Sequence, residues 1–155
     1  MEINYELHSH FAPEKINLIA EWYFKEWKIP NAATVEKIRT LNENGREFQV
    51  LLSIDTKPVA TGGIYNQVGL QAKLPRLSIF KHWMALVYCE PQSRGRGYAS
   101  LLCEKIQAHS KSLGITELFL FTHTAENLYK RLGWEEMERI ELEKKNIVIM
   151  KKELI

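Results

Sequence analysis

Arg94-Gly95-Arg96-Gly97-Tyr98-Ala99 constrains the fold more than any other stretch of the chain. It follows an apolar, strand-like run, Trp83 to Cys89, and opens a helix-like run from Ala99 to Leu113. Strand, glycine turn and helix in that order make a cradle for anions. Glycine has no Cβ, so a ligand can come close to the backbone. The first amides of a helix have no partner within it and lie at the positive end of its dipole. Arg94 and Arg96 add forked donors suited to phosphate. The stretch is expected to hold a polyphosphate. The plainer alternative is a tight turn bracketed by two solvated arginines.

The rest of the chain reads as one domain over residues 1–155. Ile3–Leu7 alternates like a short strand, and Pro13 stands where a helix can begin. Ile16, Ile19, Ala20, Tyr23 and Trp27 recur at helical spacing, and Pro30 is expected to end that helix. Thr34 is expected to cap a second helix, with Val35, Ile38 and Leu41 on its apolar face and Asn44-Gly45 stopping it. Phe48–Ile54 and Val59–Tyr65 read as strands joined by the turn Asp55-Thr56-Lys57-Pro58. Gly62-Gly63 inside the second strand predicts a bulge or a close backbone approach. Residues 66–79 read as a long irregular connection. After the glycine turn and its helix come a strand over Glu117–Thr122 and a short helix over Glu126–Leu132, stopped by Gly133. Trp134–Leu142 and Ile147–Lys151 read as two closing strands. The order β-αα-ββ-β-α-β-α-β-β predicts an α/β or α+β mixed sheet flanked by helices.

Composition narrows the partners. Lys and Arg number 21 against 19 Asp and Glu, a formal net charge of +2, so no strong field points to a nucleic acid. No apolar run approaches the length of a membrane span, and Met1–Asn4 does not begin a signal peptide, so no membrane partner is expected. Cys89 and Cys103 both sit in apolar runs and are expected as buried free thiols, which fits a reducing cytoplasm.

Two motifs carry a family resemblance. Arg94-x-x-Gly97-x-Ala99 is similar to the acetyl-CoA motif Gln/Arg-x-x-Gly-x-Gly/Ala, and LYKRLGW supplies Tyr129, Leu132, Gly133 and Trp134 in the arrangement of a late helix signature. Together with the element order, they make the chain resemble the GCN5-related N-acetyltransferases, the GNAT superfamily. Trp22 and Trp27 resemble the W-x-x-x-x-W of small bacterial-type members. The chain departs from the family at the end of the Glu117–Thr122 strand, where an asparagine is common and Thr122 stands instead.

The resemblance implies a direct transfer of acetyl from acetyl-CoA to a primary amine, on a small molecule or a peptide, with no metal. It implies diphosphate binding by Arg94, Gly95, Arg96, Gly97, Tyr98, Ala99 and Ser100, and contacts to the pantetheine arm from the backbone of Val87, Tyr88 and Cys89. Thr122 would keep a cofactor contact through its hydroxyl. Tyr129 matches the family's general acid. The base is open between His82 and His123, while Glu90 and Glu117 read as solvated charges. Trp22, Tyr23, Glu26 and Trp27 are candidate acceptor contacts, though most of that stripe suits the apolar face of a helix. Lys144-Lys145 reads as a solvated pair. The resemblance leaves a homodimer open. Two other readings stand beside it: a non-catalytic module that binds acyl-CoA, and a nucleic-acid binder that uses the arginine turn.

Overall fold

Alternating apolar runs assemble here into one mixed sheet. The computed structural model describes residues 1–155. Its elements are β1 (Ile3–Leu7), α1 (Pro13–Trp27), α2 (Asn31–Arg39), β2 (Phe48–Ile54), β3 (Lys57–Tyr65), α3 (Gly69–Lys73), β4 (Trp83–Cys89), α4 (Tyr98–Ser112), β5 (Glu117–Thr122), α5 (Glu126–Arg131), β6 (Glu135–Leu142) and β7 (Lys145–Glu153). The seven strands lie in the order β1-β2-β3-β4-β5-β7-β6. All neighbours are antiparallel except β4 and β5, which run parallel.

Side chains alternate across a sheet, so each strand feeds two cores. On one face Val50, Leu52, Met84, Leu118, Leu120 and Met150 pack with Leu102, Cys103 and Ile106 of α4 and with Tyr129 of α5. On the other face Leu51 and Tyr88 pack with Ile16, Ile19 and Tyr23 of α1 and Ile38 of α2. Farther along that second face, Trp83, Phe119 and Ile149 pack with Leu70 of α3 and with Leu77. The two faces are joined through a defect in β4. Met84 faces α4, and strict alternation would send Leu86 and Tyr88 there too. Instead Val87 and Cys89 pack on the α4 side, and Leu86 and Tyr88 on the α1 side. One extra residue has shifted the parity, a β-bulge opposite Gly62, with Leu86 in the left-handed region at φ 57°.

The expected bulge at Gly62-Gly63 thus lies across the ladder, in β4; Gly62 makes room for it, and Gly63 makes room for β2 and the Gln49 side chain. A Cβ on Gly62 would sit 3.1 Å from Val87 Cγ2, and one on Gly63 only 2.5 Å from the Phe48 carbonyl oxygen.

Several boundaries differ from expectation. Pro30 does not end α1; Lys28 does, at φ 59°, with its amide donating to the Phe24 carbonyl. Pro30 instead begins α2, accepting from the amides of Ala33 and Thr34 at 3.0 and 3.3 Å. Thr34 is therefore buried inside α2 rather than capping it, and Leu41 lies past its end. Asn44-Gly45 belongs to a separate 3-10 turn, where the Asn42 side chain accepts from the Asn44 amide at 2.9 Å. Residues 66–79 are not irregular: they form α3 and a 3-10 turn over Pro75–Ile79, tied by Gln71, which accepts from the Val68 amide at 2.8 Å. No helix is long and apolar enough to cross a membrane.

Candidate active site

β4 and β5 are paired only at Trp83 and Phe119, where the Phe119 amide donates to the His82 carbonyl at 3.1 Å. Beyond that point the strands part. β4 stays with β3 and bends at its bulge, while β5 stays in continuous register with β7. The gap opens a cavity of about 710 Å³ through the middle of the sheet. Met84–Val87 form one wall, and Leu120–Ala125 with Tyr129 form the other. Trp27, Lys37, Tyr65, Lys73 and Lys145 border it on the α1 side.

The bulge is held by a buried polar network. The Tyr23 hydroxyl donates to the Leu86 carbonyl at 2.6 Å and accepts from Gln49 Nε2 at 2.8 Å. Gln49 Nε2 also donates to Thr61 Oγ1 at 2.8 Å, and Thr61 donates to the Val50 carbonyl at 2.8 Å. The Tyr65 hydroxyl donates to Gln49 Oε1. Carbonyl and amide of one trans peptide point in opposite directions. Fixing the Leu86 oxygen toward α1 therefore directs the Val87 N–H away from it.

The glycine turn follows β4. Gly95 and Gly97 both have φ 80°, a region that side chains rarely adopt, and a Cβ at either would meet nothing within 4 Å. Glycine is needed here for the backbone conformation, and the space above it is open. None of the backbone amides from Gly95 to Ser100 donates to a protein acceptor. The turn is thus a row of free donors at the positive end of a 15-residue helix, suited to a diphosphate. Arg94 braces this turn: its Nε donates to the Cys89 carbonyl at 2.8 Å, its guanidinium lies 3.7 Å from Glu26, and it covers the Tyr88 ring at 5.6 Å. Arg96 is exposed and makes no ion pair. Tyr98 is buried in the α4 core, so only its amide faces the turn. Glu90, expected as a solvated charge, is buried, where it accepts from the Ser93 hydroxyl at 2.9 Å and sits 3.2 Å from Lys57.

Tyr129 reaches the cavity from α5, nearly buried, with its ring edge-on to Trp134 at 6.1 Å. Burial holds its phenol well above the ordinary pKa, so it stays protonated across the neutral range. His123 lines the same cavity, as does Thr122, whose hydroxyl oxygen accepts from the Ala125 amide at 3.0 Å and positions the start of α5. His82 lies elsewhere, on a smaller hollow beside Arg46 and Glu117, where burial and the Arg46 charge lower its pKa. Val87 borders the cavity, whereas the Tyr88 side chain packs against α1. Burial pushes the Cys89 thiol up and Cys103 up to about 12, so neither is a ready nucleophile.

Of the four acceptor candidates on α1, only Trp27 borders the cavity, and Tyr23 belongs to the network that holds the bulge. Trp22 is buried against Tyr88 at 5.3 Å, and Glu26 turns to Arg94. Both tryptophan rings lie against Tyr88, Trp27 at 6.1 Å, but five residues along a helix is a rotation of roughly 140°, and only Trp27 reaches the cavity border. The Tyr23–Gln49–Thr61–Tyr65 network and the bordering lysines were not singled out by sequence as a group. Only Gly62-Gly63 signalled that something unusual stood beside that strand.

The model of the acetyltransferase (GNAT) family matches residues 5–134. No curated protein matches the chain in sequence. Among solved structures, an aminoglycoside 6'-N-acetyltransferase complexed with coenzyme A superposes with a TM-score of 0.75 at 14% identity, covering 100% of this chain and 98% of that one. An aminoglycoside 6'-N-acetyltransferase from Enterococcus faecium gives 0.75 at 15% identity, covering 100% and 98%. The ribosomal-protein-S18-alanine N-acetyltransferase from Escherichia coli gives 0.70 at 15% identity, covering 99% and 94%. At these identities the likeness is one of fold.

Proposed function

Because the chain belongs to the acetyltransferase (GNAT) family, we propose that it is an N-acetyltransferase that moves an acetyl group from acetyl-CoA to a primary amine. The observation that carries this reading is that β4 walls the cavity at Met84–Val87 and leads at its end into the glycine turn. Unpaired amides at residues 95–100 follow the end of β4, and the gap between β4 and β5 leads to a protonated Tyr129 with no protein acceptor for its hydroxyl. Acetyl-CoA supplies an activated acyl group as a thioester. The amides of Gly95–Ser100 hold its diphosphate, and the parted edge of β4 presents main-chain groups to its peptide-like arm. The Val87 amide, oriented through Tyr23, is the donor assigned to the acetyl carbonyl.

His123 takes a proton from the incoming ammonium, directly or through water, leaving the nitrogen lone pair free to form the new C–N bond. Tyr129 gives its proton to the sulfur as the C–S bond breaks, the second nitrogen proton is lost from the new C–N centre to the Tyr129 phenolate, directly or through water, and the amide and a free thiol leave. The test is thiol release with a panel of amines, beside calorimetric titration of acetyl-CoA. Tyr129→Phe is expected to lower kcat about 100-fold with acetyl-CoA affinity kept. A fully active Tyr129→Phe enzyme would contradict the assignment. Tight acetyl-CoA binding without thiol release for any amine would favour a non-catalytic acyl-CoA module instead.

A further inference from the structure

The cavity between β4 and β5 is bordered from both faces of the sheet. Tyr129 and α4 stand on one face. The far border of the cavity, on the α1 side, is built from Trp27, Tyr65, Phe121 and the turn between β6 and β7. With the donor's diphosphate on the amides at the start of α4, as proposed above, the amine is left this far border. Its chemistry is therefore readable from the side chains there.

Three lysines, Lys37, Lys73 and Lys145, border that side, and the one carboxylate among the bordering residues is Glu143. Glu143 is already paired with Lys73, and the Lys73 and Lys145 charges hold its carboxyl below the usual range. Lys37 has a partner just outside, Glu47 at 3.5 Å, which also accepts from the Asn66 amide at 3.1 Å. Lys145 has no ion pair. No carboxylate is thus left to receive a second or third ammonium group, and a polycation would meet like charge. Trp27, 44% exposed, and Phe121, 37% exposed, add aromatic surface that no part of the chain covers.

We propose that the acceptor is an amine bearing a carboxylate, of the free amino acid or peptide class with an apolar side chain, and that Lys145 is the main anchor for that carboxylate. This rests on the N-acetyltransferase reading of the cavity. The lysines have a second consequence for the same substrate. A nearby cation disfavours an ammonium and so assists its conversion to the neutral nucleophile. A site without a free carboxylate to act as base gains from that arrangement.

The experiment compares free aromatic and branched amino acids with their C-terminal amides, alongside spermidine and an aminoglycoside, by thiol release from acetyl-CoA. The free acids are expected to exceed their amides in kcat/KM by about tenfold, the worth of one charge-assisted hydrogen bond, and to exceed both polycations. Lys145→Ala should remove most of the preference, and Lys145→Glu should invert it. Lys145 opens β7 beside a two-residue turn and is exposed, so both variants keep the fold. Best turnover of spermidine or the aminoglycoside would overturn the proposal while leaving the N-acetyltransferase reading intact. So would an acid-over-amide preference unchanged in Lys145→Glu. If no amine releases thiol, the acetyltransferase reading fails. The acceptor class is then read by calorimetry of the same ligands against the protein with coenzyme A, where silence from the free acids at millimolar concentration overturns it.

Discussion

Replacing Tyr23 by Phe removes one oxygen and leaves the ring in place, so its effect isolates the pin on the β4 bulge. That oxygen donates to the Leu86 carbonyl at 2.6 Å and accepts from Gln49 Nε2 at 2.8 Å. Gln49 Nε2 keeps its other bond, to Thr61, so the variant orphans one amide hydrogen and one carbonyl. An unsatisfied buried group costs about 1–3 kcal/mol, and the Leu86 side of the loss is softened because the cavity admits water. A net loss of about 3 kcal/mol follows, or roughly 6–12 °C in Tm for a chain of this length. The functional consequence comes from the same peptide. Without its anchor, the left-handed Leu86 can relax and the Val87 amide loses its fixed direction. The kcat for acetyl transfer should fall about tenfold, with the KM for acetyl-CoA changed less than twofold, about the precision of such a measurement. Thermal denaturation and thiol-release kinetics on the same preparation check both parts. A Tyr23→Phe protein with unchanged Tm and kcat would refute the idea that this network fixes the site.

Gly97→Val should weaken acetyl-CoA binding at least about 30-fold, because a β-branched residue at φ 80° strains the turn and places methyl groups over the free amides; calorimetry reads the loss directly. His8, His82 and His109 all have pKa values lowered chiefly by burial. The unfolded chain then binds more protons than the folded one just below the ordinary histidine pKa. Their stabilising contribution is complete above about pH 6.5 and is lost as pH falls toward the folded values, so Tm should drop between pH 7.5 and 5. Substituting His109 by Gln should flatten that drop, and a Tm profile untouched by the substitution would count against it.

Sequence reading served best where a signal is local. The limits of β2, β4 and β5 matched the apolar runs, since strands paired or buried on both sides carry little else. The free amides of the glycine turn were legible because strand, glycine and helix follow one another in the chain. The helix ends were less so. Pro30 reads equally as the stop of one helix and the start of the next, and only the path of the chain decides. Residues 66–79 looked irregular because α3 is short and is held by the Gln71 side chain and by Leu70 packing on the sheet, neither of which shows as a local pattern. The bulge network was invisible for a different reason. Tyr23, Gln49, Thr61 and Tyr65 are each ordinary residues in ordinary elements, and their meaning lies in contacts spanning 11 to 63 positions. The same holds for Lys145, which reads as half of a solvated pair until the sheet brings it to the cavity border.

The central claim is that the amides of residues 95–100 and the cavity beside Tyr129, linked through β4, receive the diphosphate and the thioester of one acetyl-CoA molecule. A crystal structure of the protein with acetyl-CoA tests it most directly. The account predicts phosphate oxygens within hydrogen-bond distance of several of those amides, the arm lying between β4 and β5, and the sulfur near the Tyr129 hydroxyl. A ligand bound elsewhere, or one whose sulfur points away from Tyr129, would contradict it.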